Sequence, residues 1–103
     1  MAKKKKMVRL AAIHPGEFLR EDFLKPLSLS VNGLAMALHV PATRISEIVN
    51  ERRGITTDTA LRLGRYFGTT PDFWINMQAA YELAIGEDKL LPKIEKEVLR
   101  RVA

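Results

Sequence analysis

The sequence predicts an all-α protein of five helices followed by a C-terminal extension helix, and three observations support this fold class. Apolar residues recur at helical spacing along most of the chain, while no segment shows the strict alternation of a half-buried strand. Serine, threonine or proline begins each of the first five helical segments, as helix starts favour. Proline or glycine then follows several of them, as helix ends favour.

Composition limits the classes of protein that remain. The chain has 103 residues, 47% of them hydrophobic, which suits one small domain with a modest core. Its net charge of +5 favours an anionic partner such as nucleic acid or an acidic protein, and its lack of cysteine excludes disulfides and thiolate metal sites. No apolar run approaches the roughly 18 residues of a membrane span, and no signal peptide is recognisable. We therefore expect a cytoplasmic protein.

The first residues differ from the rest of the chain. Residues 1–12 contain the run Lys3–Lys6 and are expected to form a flexible basic arm. The first helix should begin at Pro15, where a missing N–H costs nothing, and should end at Pro26. A helix-turn-helix domain is predicted over residues 13–86, with an amphipathic helix over residues 87–103.

The second and third helices are separated by a very short break around His39, Val40 and Pro41. The second should run from an N-cap at Ser30 to Leu38, and the third from Pro41 to about Arg52. Two helices joined by a turn of three or four residues form a helix-turn-helix unit, whose second helix can enter the DNA major groove. Within the break, His39 occupies a position that often needs positive φ, and histidine is enriched there among non-glycine residues.

Apolar positions within this unit agree with such packing. Ala35 is small where the two helices would cross, Val40 would fill the turn, and Ile45 and Ile48 would anchor the third helix. Since residues turn by about 100° along a helix, the side opposite these isoleucines should face outward. The residues on this side predicted to read bases are Thr43, Ser46, Glu47 and Asn50. The predicted phosphate contacts are Arg44 on its flank and Arg52 and Arg53 beyond its end.

Three further helices complete the predicted architecture. The fourth should begin at Thr56 or Thr57 and end at Gly68, and the fifth should begin at Thr70-Pro71 and end at Gly86. Gly64, inside the fourth helix, should cost about 1 kcal/mol relative to alanine. The sixth helix should reach the chain end, with an apolar side formed by Leu91, Ile94, Val98 and Val102.

Three segments carry a resemblance to a known family: HPGEFLREDFLKPL, SVNGLAMALHVPATRISEIVNERRGIT and TALRLGRYFGTTPDFWINMQAAYEL. They cover about two thirds of the chain, which resembles HigA-type antitoxins of the lambda-repressor-like (XRE) helix-turn-helix superfamily. The resemblance implies a five-helix, homodimeric DNA-binding domain that represses its own operon at a palindromic operator. It also implies a HigB-type ribonuclease toxin as partner. By position, the DNA-reading helix of the HigA-type family corresponds to Ala42, Thr43, Arg44, Ser46, Glu47 and Asn50 in this chain.

Other functions remain as alternatives or are not expected. A solitary or phage-type repressor would share the same DNA-binding surface but have no toxin partner, and an interaction module could retain toxin binding with secondary DNA binding. His14 and His39, the two histidines, show no catalytic or metal-binding spacing, and no phosphate-binding loop is present. We expect neither enzymatic activity nor a cofactor. Phe73 and Trp74 lie in an apolar stripe, which favours a core or dimer interface over base stacking.

Overall fold

The computed structural model describes residues 13–102, and this part of the chain contains six helices and no strand. The predicted all-α fold class is therefore confirmed. The predicted arm, residues 1–12, lies outside the described residues. The helices are α1, formed by the consecutive segments Pro15–Phe18, Leu19–Leu24 and Lys25–Leu27, then α2 (Val31–Leu38), α3 (Ala42–Val49), α4 (Thr57–Phe67), α5 (Pro71–Lys89) and α6 (Leu91–Glu97).

The first helix begins as predicted but ends later than predicted. Its N-cap is His14, whose Nδ1 accepts a hydrogen bond from Gly16 N at 2.9 Å. The prediction that Pro26 ends α1 was wrong, because the helix continues to Leu27. The segment before Pro26, Leu19–Leu24, is π-helical, and this wider turn gives the proline ring room inside the helix. The chain leaves the helix at Ser28, which has φ 51°.

The helix-turn-helix unit has the predicted turn. Ser30 caps α2 by accepting a hydrogen bond from Gly33 N at 2.9 Å. His39 adopts φ 58° and ψ 47°, so the predicted positive φ is confirmed. The next amide, Val40 N, donates to Ala35 O at 3.0 Å, which closes the end of α2. Pro41 precedes α3 as its N-cap residue.

The third helix is shorter than the sequence indicated. It ends at Val49 rather than near Arg52, because Glu51 takes a left-handed conformation with φ 61°. Arg52 N then donates back to Glu47 O at 2.8 Å, which is the hydrogen bonding of a helix C-terminus rather than of a helix interior. The predicted extension of α3 to Arg52 was therefore wrong.

The fourth and fifth helices start at threonine caps, as predicted. Thr56 accepts from Thr59 N at 3.4 Å, and Thr70 accepts from Phe73 N at 3.3 Å. Gly68, with φ 78°, ends the fourth helix. The prediction that Gly86 ends α5 was wrong, because this glycine remains helical and its carbonyl accepts from Leu90 N at 2.7 Å.

The last helix ends before the chain does. Val98 has extended backbone angles, φ −108° and ψ 106°, so the prediction of a helix to the end of the chain was wrong for the described residues up to 102. Val98 and Val102 are 66% and 90% exposed. Apolar packing is what usually stabilises a short helix, and these side chains have little of it.

The core lies where α1 to α5 meet. Its largest side chain, Trp74, is completely buried and donates from Nε1 to Thr69 Oγ1 at 2.8 Å, while Phe73 is 36% exposed. The other residues of this buried apolar cluster come from α1 to α4 and the loop after α3: Leu19, Leu24, Leu34, Ala35, Leu38, Ile45, Ile48, Val49, Ile55, Ala60 and Leu63. Helix α6 packs on α5. No helix among residues 13–102 is long and apolar enough to cross a membrane.

Candidate DNA-binding surface

The buried side of α3 fixes which of its residues face solvent. Ile45 and Ile48 have no exposed surface, and Val49 is buried beside them. This side packs against α2, where Ala35 is also buried, and against the start of α1. The polar side of α3 is consequently directed away from the bundle.

The predicted base-reading and phosphate-contacting residues fall into two groups. The first lies on α3, with Ala42 and Thr43 exposed and Arg44, Ser46 and Glu47 half-buried. The second follows the helix, because Asn50, Arg52 and Arg53 are all exposed beyond Val49. The eight residues therefore lie on α3 and on the segment directly after it, and not on one helix.

Asn50 is the residue whose placement differs most from the prediction. It is the C-cap residue of α3 rather than part of the exposed helical side. Its Nδ2 donates to Ser46 O at 2.8 Å and lies 3.5 Å from Ser46 Oγ. One amide hydrogen is therefore used within the protein, which leaves the amide oxygen and the second amide hydrogen to contact a base edge.

Glu47 and Arg53 form an ion pair across the end of α3. Arg53 Nη2 lies 2.5 Å from Glu47 Oε1, and Arg53 Nε donates to the same oxygen at 2.8 Å. A carboxylate facing a DNA backbone would be repelled by the phosphates, and this arginine balances its charge. Both side chains remain nearly half-exposed, so the pair is accessible from solvent.

Arg44 is held at the flank of α3 by the fourth helix. Its Nη1 lies 2.5 Å from Asp58 Oδ2, and Arg62 Nε donates to the same oxygen at 2.9 Å. These hydrogen bonds, from Arg62 first and then from Arg44, lower the pKa of Asp58. Arg62 Nη1 also donates to Leu38 O at 2.8 Å. The end of α2 and the start of α3 are thereby tied to α4.

Two residues of α1 that sequence reasoning did not assign hold the other end of α3. A Cβ atom on Gly16 would overlap Ile48 O, so only glycine allows the start of α1 to lie against the α3 backbone. Arg20 Nη1 donates to Val49 O, and Arg20 Nη2 lies 3.7 Å from Glu51 Oε2. The HPGEFLR segment carried the signal, since a glycine in a first helical turn is unfavourable without such a contact.

Gln78 of α5 is the second feature that sequence reasoning missed. It is buried, and its Oε1 accepts a hydrogen bond from Ile55 N at 2.8 Å. The signal in the sequence was a glutamine within the apolar stripe of Trp74, Met77 and Tyr81. Buried amides of this kind generally have a hydrogen-bonding partner elsewhere in the fold.

Comparison with known proteins agrees with this geometry. A helix-turn-helix family model matches residues 21–74, more than half of the chain, and the chain belongs to this family. It is 62% identical over 78 residues to virulence-associated protein I of Dichelobacter nodosus, covering 76% of this chain and 72% of that protein.

Two solved structures relate the chain to a particular branch of the family. The antitoxin HigA of Pseudomonas aeruginosa, solved with the higBA promoter, is 45% identical with a TM-score of 0.86, covering 88% of this chain and 99% of that chain. The antitoxin GraA in complex with its operator is 44% identical with a TM-score of 0.84, covering 88% and 92%. The resemblance to HigA-type antitoxins is therefore confirmed.

Proposed function

We propose that the protein is a sequence-specific DNA-binding repressor that inserts α3 into the major groove of its operator. The observation that carries this proposal is the fixation of α3 at both ends, by Arg44 and Asp58 at its start and by Arg20 at its finish, with its polar side directed away from the bundle. A helix held in this way loses little conformational freedom on binding. Two relatives solved with promoter or operator DNA support the same partner. An operator as partner also favours the predicted cytoplasmic location.

Individual residues take roles according to their chemistry. Thr43 offers a methyl group to thymine, and Ser46, Glu47 and Asn50 offer polar atoms to base edges. Ala42 leaves room for close approach at the start of α3. Phosphate contacts are assigned to Arg44, Arg52 and Arg53. The assignment is clearest for Arg52, because it is exposed and lies just beyond the end of α3.

The test is a mobility-shift series on a fragment covering the gene's own promoter. Thr43→Ala and Asn50→Ala should each reduce discrimination between the operator and a mutated site by about 1–3 kcal/mol. Arg52→Ala should weaken binding to both DNAs alike and lower the slope of log affinity against log salt by about one. Asn76→Ala and Arg100→Ala, exposed amide and guanidinium controls away from α3, should change neither quantity. Unchanged binding in the three test variants would exclude this surface.

The proposal includes a homodimer. Reading a palindrome requires two α3 helices about 34 Å apart, or a multiple of that distance, along the DNA. Exposed apolar residues on the last turns of α5, on α6 and at the junction between them offer a surface that a second copy could cover: Leu83, Leu90, Leu91 and Ile94.

We further infer that the protein neutralises a HigB-type ribonuclease toxin, a role supported by its resemblance to HigA antitoxins. Co-expression with the neighbouring gene, followed by purification on a tag carried by this chain, should recover a complex of both proteins. The same co-expression should relieve growth inhibition by the toxin. If no ribonuclease-like reading frame adjoins the gene, the solitary repressor is the correct alternative, with the same DNA-binding surface.

A further inference from the structure

Gln78 occupies a position where both ends of its amide are used. It is only 9% exposed, although it is polar and lies on a helix of the core. Its Oε1 accepts from Ile55 N at 2.8 Å, and its Nε2 donates to Glu82 Oε1 at 2.9 Å. The amide is therefore oriented by one residue of its own helix and holds the backbone of the loop that follows α3.

Gly54 provides a second, independent sign that this loop is seated on the amide. A Cβ atom on Gly54 would lie 2.9 Å from the amide carbon, nitrogen and oxygen of Gln78. Any side chain at position 54 would thus displace Gln78 or the loop. Ile55, the next residue, buries its side chain in the core, so the loop is fixed by packing as well as by a hydrogen bond.

Arg52 and Arg53 lie between this attachment and another one on α3. On the α3 side, Arg52 N donates to Glu47 O at 2.8 Å, and Arg53 pairs with the Glu47 carboxylate. On the α5 side, the loop meets Gln78 directly after Gly54. The two arginines are therefore presented on a short segment anchored at both ends.

We propose that Gln78 is a positioning residue for operator binding, which holds the Arg52–Arg53 segment in place relative to α3 without touching DNA. This inference rests on the proposed DNA-binding function. Without the amide, Ile55 N–H would be buried without an acceptor, and the segment would have to shift or loosen to reach water. A loosened segment must be ordered again when its arginines meet phosphates, and that ordering opposes binding.

The experiment first removes the Gln78 amide and then exchanges the amide and the carboxylate between positions 78 and 82. Gln78→Met removes both hydrogen bonds at similar volume, and Gln78→Glu keeps an acceptor for Ile55 N but places a carboxylate against Glu82. Each should weaken operator binding by roughly three- to tenfold, the equivalent of one lost hydrogen bond. The double variant Gln78→Glu with Glu82→Gln restores a donor to the pair and should return binding to within about threefold of the parent protein.

A matched control separates positioning from general loss of stability. Thr69→Val removes the partly buried hydrogen bond from Trp74 Nε1 near the start of α5 but leaves the loop after α3 untouched. Binding is measured at a temperature where urea titrations show every variant folded, and exchange of the Ile55 amide is followed by NMR. Gln78→Met should accelerate this exchange and weaken DNA binding, whereas Thr69→Val should do neither.

The outcomes are decisive for the proposal. The proposal would be overturned if folded Gln78→Met bound the operator as tightly as the parent protein. It would also be overturned if Thr69→Val, at equal stability, lost as much operator affinity as Gln78→Met. If Gln78→Met does not fold, the comparison of Gln78→Glu with the double variant replaces it, and equal affinities there would overturn it. Weakened binding in Arg52→Ala together with unchanged binding in the Gln78 variants rejects this inference alone. Unchanged binding in Thr43→Ala, Asn50→Ala and Arg52→Ala rejects the DNA-binding surface itself.

Discussion

Gly16 and Gly86 are both helical glycines, but their surroundings are opposite. At Gly16 a Cβ atom would overlap the carbonyl oxygen of Ile48, whereas at Gly86 no described atom beyond its chain neighbours and the nearby helix backbone would lie within 4 Å. Gly64 resembles Gly16, since a Cβ there would lie 2.8 Å from Thr69 O. Gly64 therefore lowers the helix propensity of α4, as predicted, but it also permits a close backbone contact that alanine would not allow.

Replacing Gly16 or Gly86 by alanine should change the free energy of unfolding in opposite directions. Gly16→Ala should lower the free energy of unfolding by about 3 kcal/mol, since a backbone carbonyl must move to admit the methyl group. Gly86→Ala should raise it by up to about 1 kcal/mol, the difference in helix propensity. Urea denaturation of both variants measures the two changes. Destabilisation of similar size in both would contradict this account of Gly16.

His14 should make stability depend on pH. Burial lowers its pKa, while the charges of Glu51 and Glu17 act in the opposite direction. Its Nδ1 also accepts the Gly16 N–H, a role that a protonated imidazole cannot fill. The folded state thus binds this proton less readily than the unfolded state, where histidine has its ordinary pKa near 6.5. The contribution of His14 is complete above about pH 6.5 and is lost as the pH falls towards the lowered folded pKa.

Comparison with His14→Asn isolates this effect, because asparagine can cap the helix but does not titrate. Urea denaturation of both proteins at several pH values between 5 and 7.5 measures the difference between their free energies of unfolding. The parent should lose stability relative to the variant as the pH is lowered. A difference that stays constant across this range would argue against a titrating His14.

At the scale of elements, the turn between α2 and α3 depends on one left-handed residue. His39 has φ 58° and is exposed, so its side chain makes no demand on the core. His39→Gly should stabilise the protein by up to about 1 kcal/mol, because relief of the left-handed strain exceeds the extra backbone entropy of glycine. Ala37→Gly, at an exposed helical position of α2, should instead destabilise it by about 1 kcal/mol. Thermal unfolding compares the two, and a loss of stability in His39→Gly would show that the imidazole has a role in the turn.

Starts of elements were predicted more accurately than ends. The caps Ser30, Thr56 and Thr70 each bond an amide three residues ahead, so the signal is contained in four consecutive residues. The end of α3 depends on Glu51 taking a left-handed conformation, which the presence of a glutamate does not predict. Gly86 did not end α5, because a helical glycine stops a helix only where the chain turns away.

At the scale of the whole molecule, the end of α5 and α6 carry an apolar surface that the described residues, 13–102, leave exposed. Leu90 is 58% exposed and Ile94 is 44% exposed. Apolar surfaces of this kind commonly mark interfaces. The proposed homodimer would remove them from water.

Charge introduced at this surface should separate the proposed dimer. The double variant Leu90→Glu with Ile94→Glu should have the mass of one chain by sedimentation equilibrium, where the parent has the mass of two. Its operator affinity should fall, because two half-sites would be bound by independent molecules. Leu27→Glu, an equally exposed leucine of α1, should keep the dimer. A dimeric double variant would direct attention to a different interface.

The sequence by itself determined the all-α class, the helix starts, the left-handed turn at His39 and the polar side of α3, because each depends on residues within about one or two helical turns. Tertiary structure alone decided which contacts hold α3 and the loop after it. The hydrogen bonds from Arg20 to Val49 and from Ile55 to Gln78 join residues 29 and 23 positions apart. Neither pairing follows from local propensity, because only the packing of α1 and α5 against α3 and its loop brings these groups within hydrogen-bonding distance.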